Sequence, residues 1–163
     1  MHSIFSISAR RASVTRPLTA GEKTIARSIY KDAIALDSIF VHRRKWLWFQ
    51  PRNTLMAPCG HIHVHPLSDH WSEDYSLERL SLQGLLIHEL CHVWQTQQRG
   101  TYYLPLMRHP FCRYRYRLKA GKPFDAYGIE QQAEIVRHAF LLRAGYPLAN
   151  APSLEELEAL LPF

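Results

Sequence analysis

Apolar residues recur along this chain at three helical spacings and in several short alternating runs. Leu82, Leu85, Leu86, Leu90 and Val93 lie on one face of a 3.6-residue period and predict a helix from about Leu77 to Arg99, stopped by Gly100. Ile25, Ile29, Ala33 and Ile34 form a second stripe, running to about Ala35, and Thr19-Ala20-Gly21-Glu22 is a capping box that opens it. Ile129, Ala133, Val136, Phe140 and Leu141 form a third, in a helix held within 124–145, started by Asp125 or Gly128 and ended by Gly145-Tyr146-Pro147. A second capping box, Ser153 to Glu156, opens a short last helix from Leu154 to Leu161.

The alternating runs are Ser38–His42, Thr54–Ala57 and His61–Pro66, each expected as a strand. In the last, period two puts His61, His63 and His65 on one face, read as solvated, and Ile62 and Val64 on the other. The edge of such a strand suits an added extended peptide, which would bring His65 near a substrate. Residues 101–123 carry no period. Within them Arg113-Tyr114-Arg115-Tyr116-Arg117-Leu118 reads equally as a short strand or as an irregular wall. Residues 1–16 are polar, basic and aperiodic and are expected as a flexible arm, leaving 17–163 as one α+β domain: a small twisted sheet packed against the central helix and a second, ligand-bearing helix.

Composition adds bounds. At 163 residues, 47% hydrophobic and 21% charged, the chain suits one domain with a real core. It has no apolar run of the ~20 residues a membrane span needs. The apolar patch before Arg10 and Arg11 is short and broken by serine, and the charges follow it. That is not a Sec signal, so the expectation is cytoplasmic, with non-Sec export left open. Cys59, Cys91 and Cys112 are too few and too spread for a disulfide framework. The net charge of +6 is concentrated in His42-Arg43-Arg44-Lys45 and in a run from Arg108 to Lys122 that contains no acid. Such a run suits a solvated face, nucleic acid, an anionic membrane or an acidic substrate. No nucleic-acid fold signature accompanies it, which ranks nucleic acid last.

Candidate chemistry sits in the central helix. His88-Glu89-Leu90-Cys91-His92 is the pattern H-E-x-x-H, expected by chance only about 0.03 times in a chain like this. Residues four apart on a helix are one turn apart and about 40° around it, so both imidazoles reach one metal ion. Glu89 can then face the open side of that ion as a general base. A third ligand is needed. Glu130 and Glu134, four apart on the third helix, can supply a ligand and a carboxylate that orients a histidine; His109 is the rival. Tyr127, Tyr102, Tyr103 and His65 are candidates for an oxyanion donor or substrate contact.

HELCH followed by EQQAE resembles the zincin metallopeptidases that take glutamate as the third ligand and whose second motif reads roughly E-x-x-A-D. RPLTAGEKTIARSIY, HRRKWLWFQPRN, MAPCGHIHVHP, LSLQGLLIHELCHVWQTQ, RHPFCRYRYRL and YGIEQQAEIVRHAF resemble the small bacterial proteins labelled VgrG-related, associated with contractile injection systems. This resemblance implies one Zn²⁺ per chain held by His88, His92 and Glu130, with Glu134 behind a histidine and Glu89 catalytic. It implies a metallopeptidase or amide hydrolase using a metal-activated water on a peptide or protein substrate, with secretion-system components as partners. A zinc-binding adaptor without catalysis is the alternative.

Overall fold

In the computed structural model, which describes residues 14–109 and 111–163, four short strands form one sheet in the order β1-β2-β4-β3. They are β1 (Thr15–Pro17), β2 (Phe40–His42), β3 (Leu55–Met56) and β4 (Ile62–Val64). β1 pairs antiparallel with β2, β2 parallel with β4, and β3 antiparallel with β4, with Val41 opposite Ile62 and Leu55 opposite Val64. Those four residues are at most 2% exposed and make the sheet's core face. The helices are α1 (Ala20–Tyr30), α2 (Leu80–Arg99), α3 (Tyr103–Met107), α4 (Ile129–Arg143) and α5 (Leu154–Leu160). This is a mixed α+β fold in which α2 touches β3 and β4 on one side and packs along α4 on another. No described helix is long and apolar enough to cross a membrane.

Strand β1 corrects the expected flexible arm, whose residues 1–13 lie outside the described residues. Thr15 and Arg16 are ordered into the sheet. Glu22, completely buried, holds Arg16 by two bonds, Nη2 to Oε1 at 2.7 Å and Nη1 to Oε2 at 2.9 Å. The same carboxylate accepts from the backbone N–H of Thr19 (2.8 Å) and Tyr75 (2.9 Å), so its charge is satisfied out of water. The Thr19–Glu22 capping box is present.

Helix boundaries move inward where tertiary contacts take the backbone. α1 stops at Tyr30 because Lys31 turns to φ 51°. Ala35 cannot continue a helix: its N–H and C=O both bond the Gln97 side chain of α2, at 2.9 and 3.0 Å. The expected start of α2 at Leu77 is instead a single 3₁₀ turn, Tyr75–Leu77; of the two expected starts of α4, Asp125 lies in another such turn, Phe124–Ala126, and Gly128 is the N-cap. Gly100, with φ 98°, ends α2 as expected. Residues 113–118 form no strand. The expectation of a solvated histidine face on β4 fails at His63, which is 4% exposed under the rings of His42 (4.8 Å) and Trp46 (5.2 Å).

Candidate metal centre

Helix α2 is buried almost all round, including both histidines and Glu89 of its motif. A helix so placed must have its polar groups satisfied by neighbours. α4 supplies them. The two helices come close at Gly84, where an added Cβ would stand 3.0 Å from the Leu141 side chain. Gln131 Oε1 accepts from Gly128 N and caps the start of α4, which puts Glu130 in its first turn.

Glu130 Oε2 lies 3.2 Å from His88 Nε2 and 3.1 Å from His92 Nε2. Behind the rings, His88 Nδ1 meets Glu134 Oε1 at 2.8 Å and His92 Nδ1 meets Gln95 Oε1 at 2.9 Å. The Gln95 amide is oriented by its own donors, which reach Ile129 O (3.0 Å) and Gln132 Oε1 (2.9 Å). Both Nδ1 atoms thus face acceptors and carry the proton of the neutral ring. Both Nε2 lone pairs then point at a carboxylate oxygen. Three acceptors facing one another are relieved by a proton or a metal cation between them. For the proton, burial opposes a charged His88, but hydrogen bonds to Glu130 and Glu134 outweigh it and raise its pKa to about 9. Burial likewise pushes Glu130 up, and the two histidines more than reverse this, holding it well below the usual carboxylate range. Nitrogen, nitrogen and carboxylate oxygen within 4.8 Å, with both rings backed by acceptors, is a donor set that fits Zn²⁺. Among the described residues this is the only such group.

Glu89 is 5% exposed and is not one of the converging three. Its Oε2 is buried without a hydrogen-bond partner, and its side chain lines a cavity of about 400 Å³ beside Leu55, His88, Arg108 and Tyr114. Glu130 Oε1 is also without a hydrogen bond, with Arg108 Nε 3.5 Å away. Tyr114 lays its ring over His88, centroids 6.1 Å apart and planes 18° apart. Glu134 is further tied to Arg137 Nη1 (3.1 Å) and His138 Nε2 (3.3 Å), and His138 Nδ1 meets the Tyr116 hydroxyl at 2.7 Å.

The structure therefore brings His88, His92, Glu130, Glu134 and Glu89 together. It does not bring His65 or Tyr127 to the cluster. His65 Nδ1 accepts from Leu67 N (3.0 Å) in its own loop, and the Tyr127 hydroxyl accepts from Lys119 N (3.1 Å). His109 is exposed and its Nδ1 accepts from Phe111 N. Cys91 is fully buried, where burial pushes its thiol far up, so it packs rather than ligates. Sequence reading missed Gln95, Arg108, Tyr114 and His138. Gln95, three residues after His92 on one helix face, was open to discovery from spacing alone; Arg108 and Tyr114, in an aperiodic segment, were not.

No family model matches the chain. Over 149 residues, 87% of this chain, it is 36% identical to the type VI secretion system spike protein VgrG2b of Pseudomonas aeruginosa, and the match spans 14% of that protein's length. Among solved structures it is similar to the effector domain of P. aeruginosa VgrG2b, with a TM-score of 0.70 and 33% identity, covering 88% of this chain and 80% of that one.

Proposed function

The chain belongs to the same family as the effector domain of VgrG2b, and from that premise we propose that it is a zinc-dependent peptidase or amide hydrolase that acts as an effector of a bacterial secretion system. The observation that carries this reading is the convergence of His88, His92 and Glu130 beside a buried, unpartnered Glu89 carboxylate that opens onto a cavity. The fold reading is zincin-like, with the H-E-x-x-H helix against a small sheet and the third ligand on a second helix.

Zinc held by His88, His92 and Glu130 would supply a Lewis acid and lower the pKa of a water toward ~7. The remaining work falls to this chain's own side chains. Glu89 takes up a proton at its free carboxylate oxygen and returns it to the leaving nitrogen. Glu134 and Gln95 hold the two imidazoles in the tautomer that presents Nε2. Arg108 and Tyr114, on the cavity wall with Glu89, are the donors placed to face developing negative charge on a substrate carbonyl.

A second reading is a zinc-bearing adaptor without catalysis. The Tyr114 ring over His88 and the Arg108 guanidinium against Glu130 favour it, because both cover the cluster. Two measurements separate the readings. Elemental analysis is expected to find one zinc per chain in wild type and much less in Glu130→Ala. Glu89→Gln is expected to keep its zinc and lose cleavage of a peptide library. Cleavage by Glu89→Gln at the wild-type rate would overturn the mechanism. A zinc-loaded wild type that cleaves nothing yet retains secretion-system components in a pull-down would establish the adaptor.

A further inference from the structure

A second cavity, about 1180 Å³, shares Tyr114 and Glu134 with the one that holds Glu89 and also reaches Glu130. Its wall is the basic run, whose charge suits either a solvated face or a binding surface. Arg113, Arg115, Arg117, Lys119 and Lys122 all line it, and among its described lining residues the only acids are Glu130 and Glu134. Both acids are already engaged, Glu130 by two imidazoles and Glu134 by His88, Arg137 and His138. None of the five cations pairs with a carboxylate among the described residues. A concave surface lined by one sign of charge concentrates ligands of the other.

The wall is also held in place. Gln131 Nε2 donates to Arg115 O at 2.7 Å, and Lys119 N donates to the Tyr127 hydroxyl at 3.1 Å. Both anchors belong to α4 or the turn before it, the elements that carry Glu130. The groove is thus fixed relative to the metal centre although its segment has no regular secondary structure.

We infer that this groove is a substrate subsite for acidic peptides, binding aspartate or glutamate side chains on one side of the bond presented to Glu89. The inference rests on the peptidase reading for the polymer's being a peptide. A nucleic acid fits the charge, but of the four Phe and Tyr rings lining the groove only Phe111 is largely open to solvent. Single-strand binding needs several open π-faces on which successive bases stack. The Tyr127 ring is buried under Lys122 Nζ at 4.1 Å, the Tyr116 hydroxyl bonds His138, and Tyr114 lies over His88.

The test uses the zinc-loaded full chain carrying Glu89→Gln, so that binding is read without turnover. Fluorescein-labelled decapeptides alternating Glu-Ala, Gln-Ala or Lys-Ala, and a single-stranded DNA decamer, are titrated by fluorescence anisotropy at low and high salt. The Glu-Ala peptide is expected to bind about tenfold tighter than the Gln-Ala peptide at low salt, an advantage that shrinks as salt rises. Adding Arg113→Glu, Arg115→Glu and Arg117→Glu together is expected to abolish that preference, and the corresponding three Arg→Lys changes to keep it. These positions are exposed, and circular dichroism checks that each variant folds. Equal binding of the acidic and neutral peptides, or a preference that survives charge reversal, overturns the inference. DNA binding tighter than the acidic peptide also overturns it and assigns the groove to nucleic acid. Selective binding with no cleavage by wild type would support the groove and remove the hydrolase reading. Cleavage of neutral peptides as fast as acidic ones would remove the groove alone.

Discussion

Replacing Glu134 with alanine tests whether the cluster is held as a metal site or is merely a buried ion network. Glu134 touches no donor atom of the proposed site. It acts on His88 Nδ1 from 2.8 Å, on the far side of the ring from Glu130. Loss of such a partner typically weakens metal binding 10- to 100-fold, about 1.4–2.8 kcal/mol. Two features place the effect inside that range. The Glu134 side chain is 14% exposed, so water can partly replace the missing oxygen. Against that, Arg137 and His138 lose their shared carboxylate and become uncompensated beside His88. Glu134→Gln keeps an acceptor for Nδ1 and is expected to lose less. Glu130→Ala removes a ligand and is expected to lose more than either. Zinc affinity is read by competition with a chromophoric chelator, with circular dichroism to confirm folding. An affinity for Glu134→Ala within about twofold of wild type would refute the orienting role. A loss equal to that of Glu130→Ala would refute the separation of ligand from helper.

Other outcomes follow from the same geometry. Arg16→Ala strands the buried Glu22 carboxylate and is expected to cost about 3–5 kcal/mol in urea unfolding; a loss under about 1 kcal/mol would contradict the buried pair. Gly84→Val drives a side chain into Leu141, itself 1% exposed, and is expected to destabilise by about 1–3 kcal/mol while lowering zinc affinity by parting α2 from α4. Burial, with His42 and Arg44 nearby, pushes His63 down to about 4. The unfolded chain binds that proton first, so its contribution is intact above about pH 6.5 and is lost as pH falls toward 4, by up to about 3 kcal/mol. His63→Gln is expected to flatten that part of the stability profile; an unchanged slope between pH 6.5 and 4 would refute it.

The sequence by itself determined the elements whose signals are local. Apolar spacing around Leu86 and Leu90 gave a helix, Thr19 and Glu22 capped another, and Gly100 ended α2, because each depends on residues a few positions apart. The pairing of His88 with His92 was legible for the same reason. Helix ends were less so, since Ala35 is claimed by Gln97 from 62 residues away. Only the tertiary structure decided what surrounds the motif. Glu130 and Glu134 meet His88 across 42 and 46 residues, and that meeting depends on how closely α2 and α4 pack at Gly84. The charge of the basic run was legible, but not where it and Tyr114 would sit, because their place is set by anchors such as Gln131 and Tyr127 rather than by their own pattern. His65 and Tyr127 show the converse. Tyr127 looked well placed by its nearness to Glu130 in sequence and His65 by its strand edge, and each has its polar atom taken by a nearby backbone N–H, a contact that only the folded chain makes.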